Sequence, residues 1–261
     1  APSNKTELTG LGDFPKGRNI HFGIKEHSMA AMANAMNLYG LYRVFSATFF
    51  IFSDYLKPAA RVAALANIPQ HFVWTHDSIG VGEDGATHQP IEQLSQFRAI
   101  PNFYTFRPAD ATENVKCWEK ALTMSAPTAF VCSRQKLKTL KPTKVHGDVS
   151  NGGYLLTQRD DATVTLMASG SEVMLCLQTA CVLEDKGIKC NIVSVPCFDL
   201  LCEQDKEYID TIINPSHTVI AVEMAPDPII PTPANNNGGL AVRDPAEVEA
   251  APAAKTENPR A

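Results

Sequence analysis

Between Trp74 and Leu94 the chain reads WTHDSIGVGEDGATHQPIEQL, with two histidines (His76, His88), three acids (Asp77, Glu83, Asp84) and three glycines (Gly80, Gly82, Gly85). An apolar run, Phe72-Val73-Trp74, precedes it and reads as a strand. Pro90 followed by IEQLSQFR reads as a helix, with proline at its first position and Ile91, Leu94 and Phe97 on one face. A strand, a polar glycine-rich loop and a helix, in that order, constrain the fold. Open α/β sheets place their ligands at the carboxyl ends of strands, in such loops. Glycine there permits backbone turns closed to other residues and leaves room for a ligand. Taken alone, the loop is equally compatible with an ordinary turn.

The same alternation runs along the chain. Residues 20–24 form a short strand candidate, followed by a helix EHSMAAMANAMNLY closed by Gly40. That helix is rich in Ala, Ser, Asn and Met, and its small residues suit close approach of another helix or subunit. A strand at Val44-Phe45 is expected to lead into a loop and helix through Leu65, with further strands at 72–75, 102–106 and 128–133 and a helix at 111–124. Strands alternating with helices predict a parallel sheet with helices on both faces. Residues 1–140 make this first α/β domain, and a polar, basic stretch at 141–151 reads as a linker. A second α/β pattern over 152–224 has strands at 162–168, 189–195 and 217–222 and a helix at 172–187. With three strands this domain is read as cut short. Residues 225–261 hold seven prolines, nine alanines and no aromatic residue, and are expected to be a disordered tail.

Composition narrows the function. A net charge of −5 without a Lys/Arg cluster argues against nucleic acid or an anionic membrane as partner. No run approaches the roughly 18 apolar residues of a membrane span, and no secretory signal opens the chain. Seven cysteines without CxxC pairs or Cys/His ligand spacing read as reduced, buried thiols of a cytoplasmic protein rather than metal ligands. The first residue is Ala1, which suggests processing or a piece of something longer.

GIKEHSM (23–29), ATFFIFSDY (47–55), THDSIGVGEDGATHQPIEQL (75–94), FRPAD (106–110) and SRQ (133–135), read together, resemble transketolase. The resemblance runs from Ala1 to about Glu223 and covers a pyrimidine-binding domain and part of a C-terminal domain. It implies thiamine diphosphate as cofactor. The family grips the diphosphate through Mg2+ or Ca2+ on an amino-terminal domain, which would come from a partner chain or from the rest of a longer one. A homodimer or heterotetramer is the expected assembly.

The resemblance also implies roles for single residues. Glu26 matches the carboxylate that hydrogen-bonds the aminopyrimidine ring; a buried carboxyl that retains or shares a proton suits that task. Its plainer reading is a helix N-terminal acid favoured by the macrodipole. Phe49, Phe52 and Tyr55, spaced by three, read on periodicity alone as one helix face, and by resemblance as the aromatic wall around the cofactor's ring. His76, Asp84 and His88 match substrate residues, the imidazoles donating to sugar hydroxyls and relaying protons, with His88 also counted as catalytic. Arg134 and Ser3 match positions that hold a sugar's terminal phosphate.

Two departures from the family pattern are mild: Ala86 stands where proline is usual and Lys25 where arginine is usual. More serious, the resemblance implies metal ligands, a diphosphate loop and an arginine upstream of Ser3 that are not among these residues. Gly170-Ser171-Glu172 is similar to a C-terminal-domain segment the family does not use for its chemistry. The expected activity is transfer of a two-carbon unit from a ketose phosphate to an aldose phosphate, with this chain supplying the pyrimidine side of the site. Related enzymes fit less well. A 2-oxo acid dehydrogenase β subunit lacks the paired-histidine loop, and HQPIEQ after the second histidine suits transketolase better than deoxyxylulose-phosphate synthase. The alternative of a different class is a non-catalytic truncated remnant or an assembly module.

Overall fold

The computed structural model describes residues 19–140 and 146–225. The first sheet is built from α1 (Glu26–Tyr39), β1 (Phe45–Phe49), α2 (Ser53–Leu65), β2 (His71–Thr75), α3 (Gln93–Arg98), β3 (Tyr104–Phe106), α4 (Ala111–Ala121) and β4 (Thr128–Cys132). Its strands lie in the order β1-β2-β4-β3, and every pairing is parallel. Parallel strands put all their carboxyl ends, and the loops leaving them, along one edge. Register then fixes which loops are neighbours. Phe49, Thr75 and Cys132 stand in one row across β1, β2 and β4, and Phe106 of β3 pairs with Phe130, two residues before Cys132.

Both faces of this sheet are covered, as continuous apolar strands require. Phe72, Trp74, Ala129 and Val131 point into a core shared with Leu56 and Ala60 of α2 and with Phe97 and Phe103. Phe106 and Phe130 point to the opposite face, against Cys117 and Ala121 of α4. The small residues of α1 let it lie close to α2, where the Asn34 side-chain amide donates to the Ala59 carbonyl at 2.9 Å. Gly40 ends α1 in the left-handed conformation (φ 82°), as the sequence indicates.

The second sheet comprises β5 (Tyr154–Thr157), β6 (Val164–Ala168), α5 (Glu172–Glu184), β7 (Cys190–Ser194), α6 (Phe198–Cys202), α7 (Lys206–Ile212) and β8 (Thr218–Val222). The order is β5-β7-β6-β8, with β6, β7 and β8 parallel and β5 antiparallel to β7. Val173 and Cys176 of α5 cover one face; Phe198, Leu201 and Ile212 cover the other. The two domains share a core in which Val149, Cys197 and Leu200 join Phe106 and Phe130. Backbone crosses the seam as well: the Arg107 amide donates to the Pro196 carbonyl at 2.7 Å.

Several sequence expectations need correction. No strand forms over 20–24; Gly23 turns at φ 64° and Ile24 is exposed, so the segment enters α1 as a bend. The helix expected from Pro90 starts at Gln93, and Ile91 is exposed while Leu94 and Phe97 are buried. Gln93 holds the entry as a bend, its Oε1 accepting from the Ile91 amide and its Nε2 donating to Asp54. Phe49, Phe52 and Tyr55 do not share one helix: they end β1, close a 3-10 turn (Phe50–Phe52) and sit in the first turn of α2. The second sheet has four strands rather than three, and β5, α6 and α7 are additions. Residues 226–261, nearly all of the expected tail, lie outside the described residues, as do Ser3 and the linker's first half (141–145).

Candidate active site

Three neighbouring strand ends assemble the candidate site. Phe49 ends β1, Thr75 ends β2 just before His76, and Cys132 ends β4 just before Ser133-Arg134-Gln135. The row they share brings an aromatic ring, the glycine-rich loop and an arginine to one edge of the sheet.

His76 takes the left-handed backbone conformation (φ 62°), uncommon for any residue other than glycine and costly by about 1–3 kcal/mol. That turn directs the imidazole back over the sheet edge, where it lies on Phe49 with ring centroids 3.7 Å apart. Its Nδ1 is 3.0 Å from Thr75 Oγ1. Desolvation lowers the pKa of His76 from its ordinary value; Asp84 and Asp77 oppose this, and Arg134 and His88 reinforce it. Asp84, Arg134 and His88 are therefore all within electrostatic reach of one imidazole. Asp84 and Arg134 are exposed, and the Arg134 guanidinium lies beside Gly82 of the loop. Gly80 leaves room for Gln135: a β-carbon there would fall 1.9 Å from Gln135 Nε2 and displace the end of that side chain.

The aromatic residues form a continuous wall. Phe49 and Phe52 are nearly parallel (6° between planes, centroids 6.1 Å apart), and Tyr55 follows Phe52 at 6.3 Å. His88, in a 3-10 turn (Ala86–His88), stands edge-on to Phe52 at 5.3 Å and to Phe49 at 6.3 Å. Phe52 also borders an open hollow of about 610 Å³, lined by Tyr55, Glu26, His27 and Ser28 as well. That volume suits a heteroaromatic ring and its substituents. Glu26 opens α1 at the hollow and is half-buried, so the full burial expected of it is not met within this chain.

The structure thus gathers Phe49, Phe52, Tyr55, His76, Asp84, His88 and Arg134 at one strand edge, with Glu26 across the hollow. Sequence reasoning missed a buried charged cluster behind them. Arg107, leaving β3, is fully buried, and its Nη2 donates to Asp77 Oδ2 at 2.7 Å and its Nε to the same oxygen at 3.1 Å. The same guanidinium holds Glu172 and the Ser169 carbonyl of the second domain. Arg98 pairs with Glu223 through two hydrogen bonds, at 2.5 and 2.8 Å. The legible signal was charge within apolar surroundings: Arg107 after YTF, Glu223 after TVIAV.

A family model described as the transketolase pyrimidine binding domain matches residues 1–139. A second, described as the transketolase-like TK C-terminal domain, matches 152–236. The transketolase of Halalkalibacterium halodurans is 45% identical over 233 residues, covering 86% of this chain and 35% of that protein. The crystal structure of Campylobacter jejuni transketolase superposes with a TM-score of 0.79 at 58% identity, covering 85% of this chain and 34% of that one. A split-gene transketolase, described as an inactive β4 tetramer, shares the fold with a TM-score of 0.62 at 23% identity, covering 76% of this chain and 62% of that one. The chain spans about a third of the length of the curated relatives it matches.

Proposed function

This chain belongs to the transketolase family, and from that premise we propose that it supplies the pyrimidine side of a site for ketol transfer between sugar phosphates. The observation that carries the reading is the shared wall: Phe52 both lines the Glu26 hollow and meets His88 edge-on, and Phe49 beside it carries His76. A flat cofactor ring and a hydroxylated substrate could therefore meet across two phenylalanines.

The residues present fit the pyrimidine end of thiamine diphosphate. The parallel rings of Phe49 and Phe52 offer apolar faces to a planar ring. The Glu26 side chain lines the hollow beside Phe52 and Tyr55, where its carboxyl could meet a ring nitrogen. Thiamine diphosphate, when bound, supplies the carbon nucleophile that carries the two-carbon unit. Glu26 would hold a proton at the aminopyrimidine nitrogen and so favour the tautomer that can act as a base. Its half-exposure is the state expected of a group that a second domain covers. The diphosphate and its Mg2+ or Ca2+ would be held by that domain, from another chain or elsewhere in a longer polypeptide, in a dimer or heterotetramer.

His76 and His88 would donate to sugar hydroxyls and move protons as carbonyl and alkoxide interconvert. Asp84 would accept from one hydroxyl and select its configuration, and Arg134, with Ser3, would take the terminal phosphate by a charge-assisted fork. We place this work in the cytoplasm.

The test is reconstitution with a diphosphate-binding domain. The chain alone should show no calorimetric uptake of thiamine diphosphate at micromolar concentration with magnesium. With the domain added, two-carbon transfer from a ketose phosphate to an aldose phosphate should appear. An associated, folded pair without transfer would favour the assembly-module reading instead.

A further inference from the structure

Asp77 directly follows the strained His76, and both of its carboxylate oxygens are engaged. Oδ1 accepts from Ser78 Oγ at 3.1 Å, while Oδ2 accepts from Nε and Nη2 of Arg107. Arg107 in turn is gripped from the second domain: its Nη1 donates to the Ser169 carbonyl and Oγ at 3.1 Å and to Glu172. Glu223 stands 3.7 Å from the same nitrogen. The backbone fastens there too, the Gly170 amide donating to the Arg107 carbonyl at 2.9 Å. A β-carbon on Gly170, at φ 56°, would lie 2.9 Å from the guanidinium.

Among the described residues, none of this cluster lines the hollow. Two cations, Arg98 and Arg107, face three anions, Asp77, Glu172 and Glu223, all buried. Burying five charges with one anion in excess is a costly way to join two domains by packing alone. What the arrangement does secure is direction. A guanidinium offers its donors in a rigid fork, so fixing one side fixes what the other side holds.

We propose that Arg107 is a positioning residue of the sugar site: clamped by Ser169 and Glu172 of the second domain, it fixes Asp77 and thereby sets the place of the His76 imidazole. Among the described residues the second domain contributes no side chain to the hollow, yet it governs where a substrate-facing group stands. This rests on the reading of His76 as a substrate residue.

Glu172→Gln tests it on the full chain. The substitution keeps the shape and leaves two cations against two anions, so folding is expected to survive; it replaces the ion pair with Arg107 by a weaker hydrogen bond to an uncharged amide oxygen. In 1H–15N spectra of the histidine rings, the His76 signals should shift and broaden, while those of His217, bonded to Thr165 in the second sheet, stay in place. Ser169→Ala, which removes a neutral partner and no charge, should move His76 in the same direction and carries the test if Glu172→Gln yields no folded chain. Unmoved His76 signals in a folded variant overturn the proposal. In the reconstituted enzyme, Glu172→Gln should raise KM for the sugar phosphate about tenfold, the scale of one weakened hydrogen bond, and change cofactor affinity less. If His76→Ala raises that KM and Glu172→Gln does not, the positioning claim fails. If His76→Ala itself leaves KM unchanged while the ring signals respond to Glu172→Gln, the clamp stands and the substrate role of His76 falls.

Discussion

Phe49 lies on His76, their ring centroids 3.7 Å apart and their planes inclined by 26°. One residue ends β1 and the other follows β2, and the parallel register Phe49↔Thr75 puts them side by side. A residue assigned to the cofactor's ring is thus in contact with one assigned to the sugar. The two halves of the proposed site are one packed unit.

Phe49→Leu tests that unity. Leucine keeps apolar volume but removes the face on which the imidazole rests, a contact worth about 0.5–1.5 kcal/mol. In the reconstituted enzyme both the cofactor's dissociation constant and the KM for the sugar should rise, by roughly twofold to tenfold each. A change confined to one of them would mean that Phe49 serves only one side.

Asp84→Ala should separate selectivity from cofactor binding. Asp84 is exposed at the loop tip, within electrostatic reach of His76 and away from the Glu26 hollow. Losing an acceptor matched to a hydroxyl costs on the order of 1–3 kcal/mol against the sugar that carries it. Competition between sugars of opposite configuration reads this directly. Unchanged selectivity with weakened cofactor binding would remove the role assigned to Asp84.

Much of this was legible in the sequence, and the reason is local. The strand-loop-helix around His76, the glycine that ends α1 and the alternation of the first domain all rest on short-range patterns that burial later reinforces. What the sequence hid is set by distant pairing. β5 is four residues long, antiparallel, and stabilised by β7 rather than by its own pattern. The Arg107 cluster joins residues 65 positions apart, and no spacing rule announces it. Phe49, Phe52 and Tyr55 converge for a reason periodicity does not contain. A strand end, a 3-10 turn and a helix start happen to project them to one side.

The domain seam should set the acid limit of stability. Burial pushes the Glu223 carboxyl up, but Arg98, then Arg107 and Ser169, outweigh it and hold its pKa at about 2, below the ordinary 4.5. A lowered carboxyl pKa contributes stability above pH 4.5 and loses it as pH falls toward 2. The shift corresponds to about 3 kcal/mol. Urea unfolding between pH 5 and pH 2 should show that loss, and Glu223→Gln, less stable at neutral pH, should lack this part of the slope. An equal slope in both proteins would assign the acid limit elsewhere.

Asp199 should behave in the opposite sense. It is half-buried at the start of α6, with Oδ2 accepting from the Thr105 amide at 3.0 Å. Burial raises its pKa from 3.8 to about 6, with that hydrogen bond and Arg98 opposing. A raised carboxyl pKa favours the fold below pH 3.8 and disfavours it as pH rises through 6. Asp199→Asn keeps an acceptor for Thr105 and removes the charge, so it should stabilise the chain by about 1–3 kcal/mol at pH 7–8. The gain should vanish near pH 4. Destabilisation at pH 8 would show that the carboxylate is needed as a charge, against Arg98.

The sharpest prediction concerns Glu26. It opens α1, faces the hollow beside Phe52 and Tyr55, and is half-buried in this chain. Glutamine has nearly the same shape, so Glu26→Gln should fold and keep the hollow's lining. It cannot share a proton with a pyrimidine nitrogen, and assistance of that kind typically contributes about 10²–10⁴-fold in rate. In the enzyme reconstituted with a diphosphate-binding domain, deuterium exchange at the cofactor's reactive carbon and ketol transfer should both fall by that order. The melting temperature of the chain should change little. If Glu26 served only as an acid at a helix N-terminus, the forecast reverses: stability would drop by about 0.3–1 kcal/mol and exchange would keep its rate. Measuring exchange and melting on the same preparation separates the two, and exchange at the parent rate would end the catalytic assignment.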